Sequence, residues 1–203
     1  MGTVPRGNWS QRVARGLRRH GLRGELMYLA RRVSRAWRRH RERSLHDVLA
    51  AHPGTAHFGF QNINAPESVA RLRALAPDVI MVAAFMQILK PAVIAVPPLV
   101  CINAHPSLLP RYRGPAPLYW ARKNRERAIG VTVHYIDECV DTGDIIVQES
   151  FAIEAGDNNR SLRAKSAATG ARLLVETVRR LAAGETLPRR PQDHTQATYF
   201  RLP

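Results

Sequence analysis

Cysteine is almost missing from this 203-residue sequence, where Cys101 and Cys139 are the only two. Two thiols give neither a disulfide framework nor a set of cysteine metal ligands, and a reducing cytoplasm is the expected compartment. Long hydrophobic runs are missing too, which excludes a membrane-spanning helix. The N-terminus lacks the apolar core of about 7–15 residues that a secretory signal needs. It is rich in Arg and poor in acids like an organellar transit peptide, but its low serine content argues against that reading. Lysine is scarce, at 3 residues against 28 arginines, a bias that a GC-rich coding sequence produces without selection for binding. What is present is an apolar fraction of 45% with 23% charged residues, enough for one well-buried domain and too little chain for two large ones.

The formal charge of +15 is distributed unevenly. Residues 1–50 hold thirteen arginines against Glu25, Glu42 and Asp47, so two thirds of the excess lies there. Within that segment Leu22, Leu26, Leu29, Val33 and Trp37 recur at three- and four-residue spacing, the pattern of an amphipathic helix with an Arg-rich outer face. Three readings stand side by side: a surface for nucleic acid or another acidic partner, an interfacial membrane helix, and a solvated helix docked by its apolar stripe. The last is preferred, because charge runs carry little specificity.

From residue 60 onwards strands and helices alternate. Asn64 followed by Glu67 reads as a helix cap with its return partner, leading a helix through Val69, Leu72 and Leu75 that stops near Pro77. Asp78 to Ala84 is a short apolar run rich in β-branched residues, as expected of a strand covered on both faces. Further strands are predicted at Leu99–Ile102, Gly130–Ile136 and Ile145–Phe151. Asp157 or Asn158 then caps a long helix whose Leu162, Leu173, Leu174, Val178 and Leu181 face inward, ended by Gly184. The predicted fold is α/β with a mostly parallel sheet. The predicted organisation is an Arg-rich helical segment over 1–50, a core over 51–187, and an extended tail over 188–203.

In such sheets ligands collect beyond the carboxyl ends of strands. Asn103 and His105 stand there, and residues two apart on a strand share a face, so an amide donor and an imidazole converge. That pairing suits an oxyanion. The alternative, equally weighted, is that Asn103 caps a turn and His105 is a satisfied strand-end residue. A second polar cluster holds His134, Asp137, Glu138, Asp141, Thr142, Gly143 and Asp144. A carboxylate from it, set beside His105, would orient the imidazole and make an acid/base pair. Spacing alone does not choose among them. Asp137, Glu138 and Asp144 read best as a solvated turn, and His134 as a supporting hydrogen-bond partner. Metal binding is not expected, since the histidines and acids follow no ligand spacing.

The stretch from Cys101 to Gly114, Cys-Ile-Asn-Ala-His-Pro-Ser-Leu-Leu-Pro-Arg-Tyr-Arg-Gly, closely resembles the signature of the 10-formyltetrahydrofolate-dependent formyltransferases. Gly130-Val131-Thr132-Val133-His134, with Asp137 and then Asp141-Thr142-Gly143-Asp144-Ile145-Ile146-Val147-Gln148, resembles that family's second signature. Two long motifs in order make a specific match, covering about residues 60 to 200. The resemblance implies a Rossmann-like formyltransferase domain with Asn103, His105 and Asp141 as its catalytic set. It implies 10-formyltetrahydrofolate as co-substrate and no metal. The folate pocket it implies is built from Val82, Ala84, Phe85, Met86, Gln87, Ile88 and Leu89 with Glu138, Cys139 and Val140. The bland reading of Phe85, Met86, Ile88 and Leu89 is core packing. On the acceptor side, Ser107, Arg113 and His134 are the implied contacts, Arg113 for an anionic group.

The family ordinarily opens with a β-α-β unit, and no such apolar strand is recognisable before residue 50. The methionyl-tRNA enzymes carry a further tRNA-contacting domain, and no counterpart follows Pro203. The stretch Tyr112 to Trp120 looks more like the methionyl-tRNA and amino-sugar branches than the glycinamide ribonucleotide branch. Pro191-Gln192-Asp193-His194 and Ala197-Thr198-Tyr199 are similar to the linker of the methionyl-tRNA enzymes. The expected acceptor is therefore a primary amine on methionyl-tRNA or on a nucleotide-linked amino sugar. The alternatives are a glycinamide ribonucleotide formyltransferase, or an inactive folate-binding domain that engages RNA through its basic N-terminus.

Overall fold

The computed structural model describes residues 51–203 other than Pro53. The chain divides into a unit ending at Gly59 and a unit spanning Phe60–Pro203, and every element named below belongs to the second. The amphipathic segment over 1–50 and the expected lack of a first β-α-β unit both lie outside the described residues.

The elements run α1 (Pro66–Leu75), β1 (Val79–Ala83), α2 (Pro91–Ile94), β2 (Val100–His105), α3 (Pro117–Lys123), β3 (Ala128–Tyr135), β4 (Ile145–Ala152) and α4 (Asn159–Ala182). A single 3-10 turn follows at His194–Gln196. The sheet order is β1-β2-β3-β4. β1 and β2 are parallel, whereas β2–β3 and β3–β4 are antiparallel. The α/β architecture is as expected, but the described sheet is mixed rather than mostly parallel. For β3 and β4 the reason is local: their connection is too short for a helical crossover, so the chain folds back antiparallel there.

Side-chain alternation sorts the strands into two faces. Val100, Ile102, Val131 and Val133 pack with Ile146, Leu173, Leu174 and Leu187, so α4 and the start of the tail cover one side. Cys101 points the other way, into a cluster with Ile63, Val69, Leu89 and Val93. Burial pushes the Cys101 thiol up to about 11, which fits a packing role rather than a reactive one. A third cluster gathers Tyr112, Leu118, Ala121, Ile129 and Leu162.

Two local expectations are revised. Asn64 does not cap α1; Ala65 occupies that position without a side-chain bond, and Pro66 starts the helix. Instead Asn64 donates to Ile88 O at 2.9 Å and accepts from Lys90 N at 2.8 Å, fixing the loop after β1. β1 is not covered on both faces: Met81 is 51% exposed. The apolar run Leu99–Ile102 opens a strand that ends in Asn103-Ala104-His105 as read, and Asn103 and His105 pair in register with His134 and Thr132. α4 too begins as read, with Asn158 and Ser161 forming a reciprocal capping box.

The tail is a strap rather than a loose end. Arg190 and Ile145 exchange both backbone hydrogen bonds, at 2.8 and 3.1 Å. Further on, Tyr199 bridges to Arg113, and Phe200 stacks between Tyr112 and Trp120.

Candidate functional site

The site is assembled by β2, β3 and two loops. Asn103 and His105 project from the same face of β2, and the β2–β3 register sets His134 directly opposite Asn103. Cross-strand partners of this kind bring their side chains within reach of one another. Asn103 Nδ2 lies 3.1 Å from His134 Nε2, and His134 Nδ1 lies 2.8 Å from Tyr135 O. A carbonyl oxygen only accepts, so Nδ1 carries the proton and Nε2 receives a hydrogen from the Asn103 amide. Burial is the main reason that the His134 pKa is pushed down to about 4; the neighbouring His105 adds to this and Asp141 opposes it. His134 is thus a neutral acceptor that fixes the amide of Asn103, with one of the two Nδ2 hydrogens engaged by it.

His105 is held differently. Its Nε2 donates to Tyr112 O at 2.8 Å, and its Nδ1 stands 3.5 Å from Asp141 Oδ2. Asp141 Oδ2 also accepts from the Gly114 amide at 2.8 Å, while Oδ1 lies 3.7 Å from His134 Nε2. One carboxylate therefore sits between two buried imidazoles whose ring centres are 6.5 Å apart. Both ring nitrogens of His105 face oxygen atoms, Tyr112 O on one side and the Asp141 carboxylate on the other.

Asp141 reaches this position through an unusual backbone. Its φ is +54°, in the left-handed region that a non-glycine residue enters at a cost of about 1–2 kcal/mol. Gly143 two residues later admits no side chain, because a Cβ there would overlap the Tyr135 carbonyl. Gly114, with φ +86°, is walled in by the Tyr199 ring in the same way.

The remaining sequence-derived site residues fall into distinct places. Val82 and Leu89 pack with Cys101 on the site side of the sheet. Phe85, Met86 and Ile88 are exposed apolar side chains in the loop after β1. Ala84 adopts φ +51° there, and Gln87 ties the loop to Ile63 N and Gln61 O. Since Ala83 is in register with Ala104, this loop starts level with His105. Glu138 and Cys139 are exposed and Val140 is half-buried, in the turn that leads to Asp141.

Ser107 is fully buried with its hydroxyl donated to Arg111 O, and Thr132 Oγ1 donates to Ser107 O. Its hydroxyl is committed to shaping the turn. Arg113 is likewise buried, and its guanidinium is bound to Gln192 Oε1 at 3.2 and 2.6 Å and to His194 Nδ1 at 3.2 Å. Gln192 and the Gly114 amide were not singled out as site residues from the sequence. The only signal for Gln192 was its place in the linker-like Pro191–His194 stretch. Among the described residues, no group of three or more His, Cys, Asp or Glu is arranged to hold a metal ion. No helix among them is long and apolar enough to cross a membrane.

Comparison with known proteins bears on the same residues. A family model described as formyl transferase matches residues 5–178, reaching further toward the N-terminus than the two motifs. A methionyl-tRNA formyltransferase of Synechococcus sp. (strain JA-3-3Ab) is 50% identical over 137 residues, which is 68% of this chain and 42% of that protein. One from Geobacter metallireducens is 41% identical over 152 residues, 75% of this chain and 49% of that protein. The chain thus spans less than half the length of the curated relatives it matches. Among solved structures, the formyltransferase PseJ from Anoxybacillus kamchatkensis, in complex with UDP-4,6-dideoxy-4-formamido-L-AltNAc and tetrahydrofolate, aligns with a TM-score of 0.55 at 30% identity. That alignment covers 62% of this chain and 65% of that one. Glycinamide ribonucleotide transformylase 1 from Symbiobacterium toebii gives the same TM-score and identity over 61% and 59% of the two chains.

Proposed function

The chain belongs to the formyl transferase family, and from that premise we propose that it transfers a formyl group from 10-formyltetrahydrofolate to a primary amine, with Asn103, His105 and Asp141 as the working residues. The observation that carries this reading is the placement of Asp141 Oδ2 beside His105 Nδ1 on the same face of β2 as an amide donor fixed by His134.

The co-substrate supplies the activated formyl group and leaves as tetrahydrofolate. The loop after β1 fits it, since Phe85, Met86 and Ile88 offer an exposed apolar surface beginning level with His105. As the acceptor nitrogen bonds to the formyl carbon, negative charge develops on the formyl oxygen. The free Nδ2 hydrogen of Asn103 and the charged His105 hold that charge, one as a neutral donor and one as a cation. Asp141 keeps the imidazolium paired and, through water, manages the proton that the attacking amine sheds. The same proton then serves the departing folate nitrogen.

For the acceptor we favour the amine of methionyl-tRNA. The support is the 41–50% identity to proteins of that name. A nucleotide-linked amino sugar is the second reading, supported by the similarity to a structure solved with such a product and tetrahydrofolate. A cytoplasmic site of action accords with two free cysteines. The test is a formyl-transfer assay with 10-formyltetrahydrofolate and three acceptors: methionyl-tRNA, a dTDP-amino sugar and glycinamide ribonucleotide. Formylation of methionyl-tRNA is expected. Folate binding without transfer to any of the three would overturn the enzyme reading in favour of a binding domain.

A further inference from the structure

The side chain of Gln192, on the C-terminal strap, is 5% exposed and has all four of its hydrogen-bonding positions filled. Its Oε1 accepts twice from the Arg113 guanidinium, and its Nε2 donates to Asp141 O at 3.0 Å and Gly143 O at 2.8 Å. Arg113 is bonded in sequence to Gly114, whose amide donates to the Asp141 carboxylate at 2.8 Å. These contacts close a ring. It runs from the Asp141 carboxylate through Gly114 and Arg113 to Gln192, and back to the backbone of Asp141 itself.

We infer that Gln192 is a positioning residue for Asp141, holding the strained loop that aims the carboxylate at His105. Within the loop itself, Thr142 Oγ1 and Cys139 N donate to Asp137 Oδ1 at 2.6 and 3.1 Å, which closes the turn on itself without tying it to the rest of the site. Asp141 at φ +54° is in a conformation that relaxes unless its surroundings hold it. Gly143 packs against the Tyr135 carbonyl, and Tyr135 N donates to Asp144 O at 2.9 Å, which anchors only the far end. Gln192 binds both the residue that must be placed and the one two further on. An amide suits the task because Nε2 offers two donors to two carbonyls while Oε1 receives a cation's fork. The strap is thereby part of the active-site geometry rather than a surface tie.

The inference rests on the reading of Asp141 given above, and the test separates the two. Gln192→Glu keeps an oxygen for Arg113, so the strap stays anchored, but it removes both donors to the Asp141 loop. Exchange of the Gly114 amide reports the carboxylate position without requiring any acceptor. In the full chain, Gln192→Glu is expected to speed exchange at Gly114 by roughly tenfold while amides of β2 and β3 keep their protection. Where turnover is measured, kcat should fall roughly 10- to 100-fold with KM for 10-formyltetrahydrofolate unchanged. Gln192→Leu, which frees the strap as well, should match it in exchange and also lower the melting temperature. Wild-type exchange at Gly114 in Gln192→Glu overturns the inference, whatever the activity. Full turnover in Asp141→Asn would instead remove the role of Asp141 and leave the exchange result to decide whether Gln192 holds the loop.

Discussion

Asn103 is oriented by His134: its Nδ2 lies 3.1 Å from an imidazole nitrogen that burial keeps unprotonated, so the amide can only be the donor of that bond. An asparagine on its own can flip its oxygen and nitrogen. Paired with a neutral His134 whose Nδ1 is committed to Tyr135 O, it presents Nδ2 to the site in one sense.

Replacing His134 with Phe keeps the volume and removes the acceptor. The amide of Asn103 is then free to turn, and kcat should fall roughly 10- to 100-fold while folate binding persists. Isothermal titration with 5-formyltetrahydrofolate beside a rate measurement checks both halves. An unchanged rate would mean that Asn103 needs no such partner.

The same residue gives stability a pH dependence of definite sign. The His134 pKa is pushed down to about 4 by burial, against about 6.5 in an unfolded chain. Between those values the unfolded chain binds more protons, so the stability that neutral His134 confers is complete above pH about 6.5 and is lost as pH falls toward about 4. Urea midpoints should drop over that window in the wild type and drop less in His134→Asn. Parallel slopes for the two proteins would assign the acid sensitivity to other groups.

Gly143→Ala would press a methyl group into the Tyr135 carbonyl, the same carbonyl that receives the His134 proton. Both partners are backbone, so neither yields cheaply. A loss of about 1–3 kcal/mol in stability is expected, together with loss of turnover. Thermal and urea unfolding measure the first part and a formyl-transfer assay the second.

Gly170 in α4 behaves in the opposite way. A Cβ there would meet Ala104 Cβ and Val131 Cγ1 at 3.6 Å, ordinary packing distance. Alanine is the better helix former by about 1 kcal/mol, so Gly170→Ala should raise the melting temperature by roughly 2–4 °C. A lower melting temperature would show that α4 cannot sit on the sheet with that methyl group present.

The two strands of the site were readable because strand periodicity is local: Asn103 and His105 share a face whatever the rest of the chain does. Asp141 was not singled out by spacing among its neighbouring acids, and its place in the set came from the resemblance of the Asp141–Gln148 motif. Gln192 stands 51 and 49 residues from the carbonyls it holds, so no local pattern could reveal it. Asn64 misled for a related reason. A helix-capping residue type was drawn into a long-range pair of bonds with Ile88 and Lys90, and the first turn of α1 was left to Pro66. The antiparallel sense of β3 and β4 was there to be read in the gap between Ile136 and Ile145, too brief for a helical crossover, whereas that of β2 and β3 was not, because a helix lies between them.

Single-turnover transfer from 10-formyltetrahydrofolate to methionyl-tRNA by the wild type and by Asn103→Ala, His105→Ala and Asp141→Ala probes the proposed chemistry most directly. The wild type should formylate the amine, and each variant should lose roughly 10²- to 10⁴-fold in rate while still binding folate and unfolding cooperatively. Variants that retain the wild-type rate would contradict the assignment of these three residues.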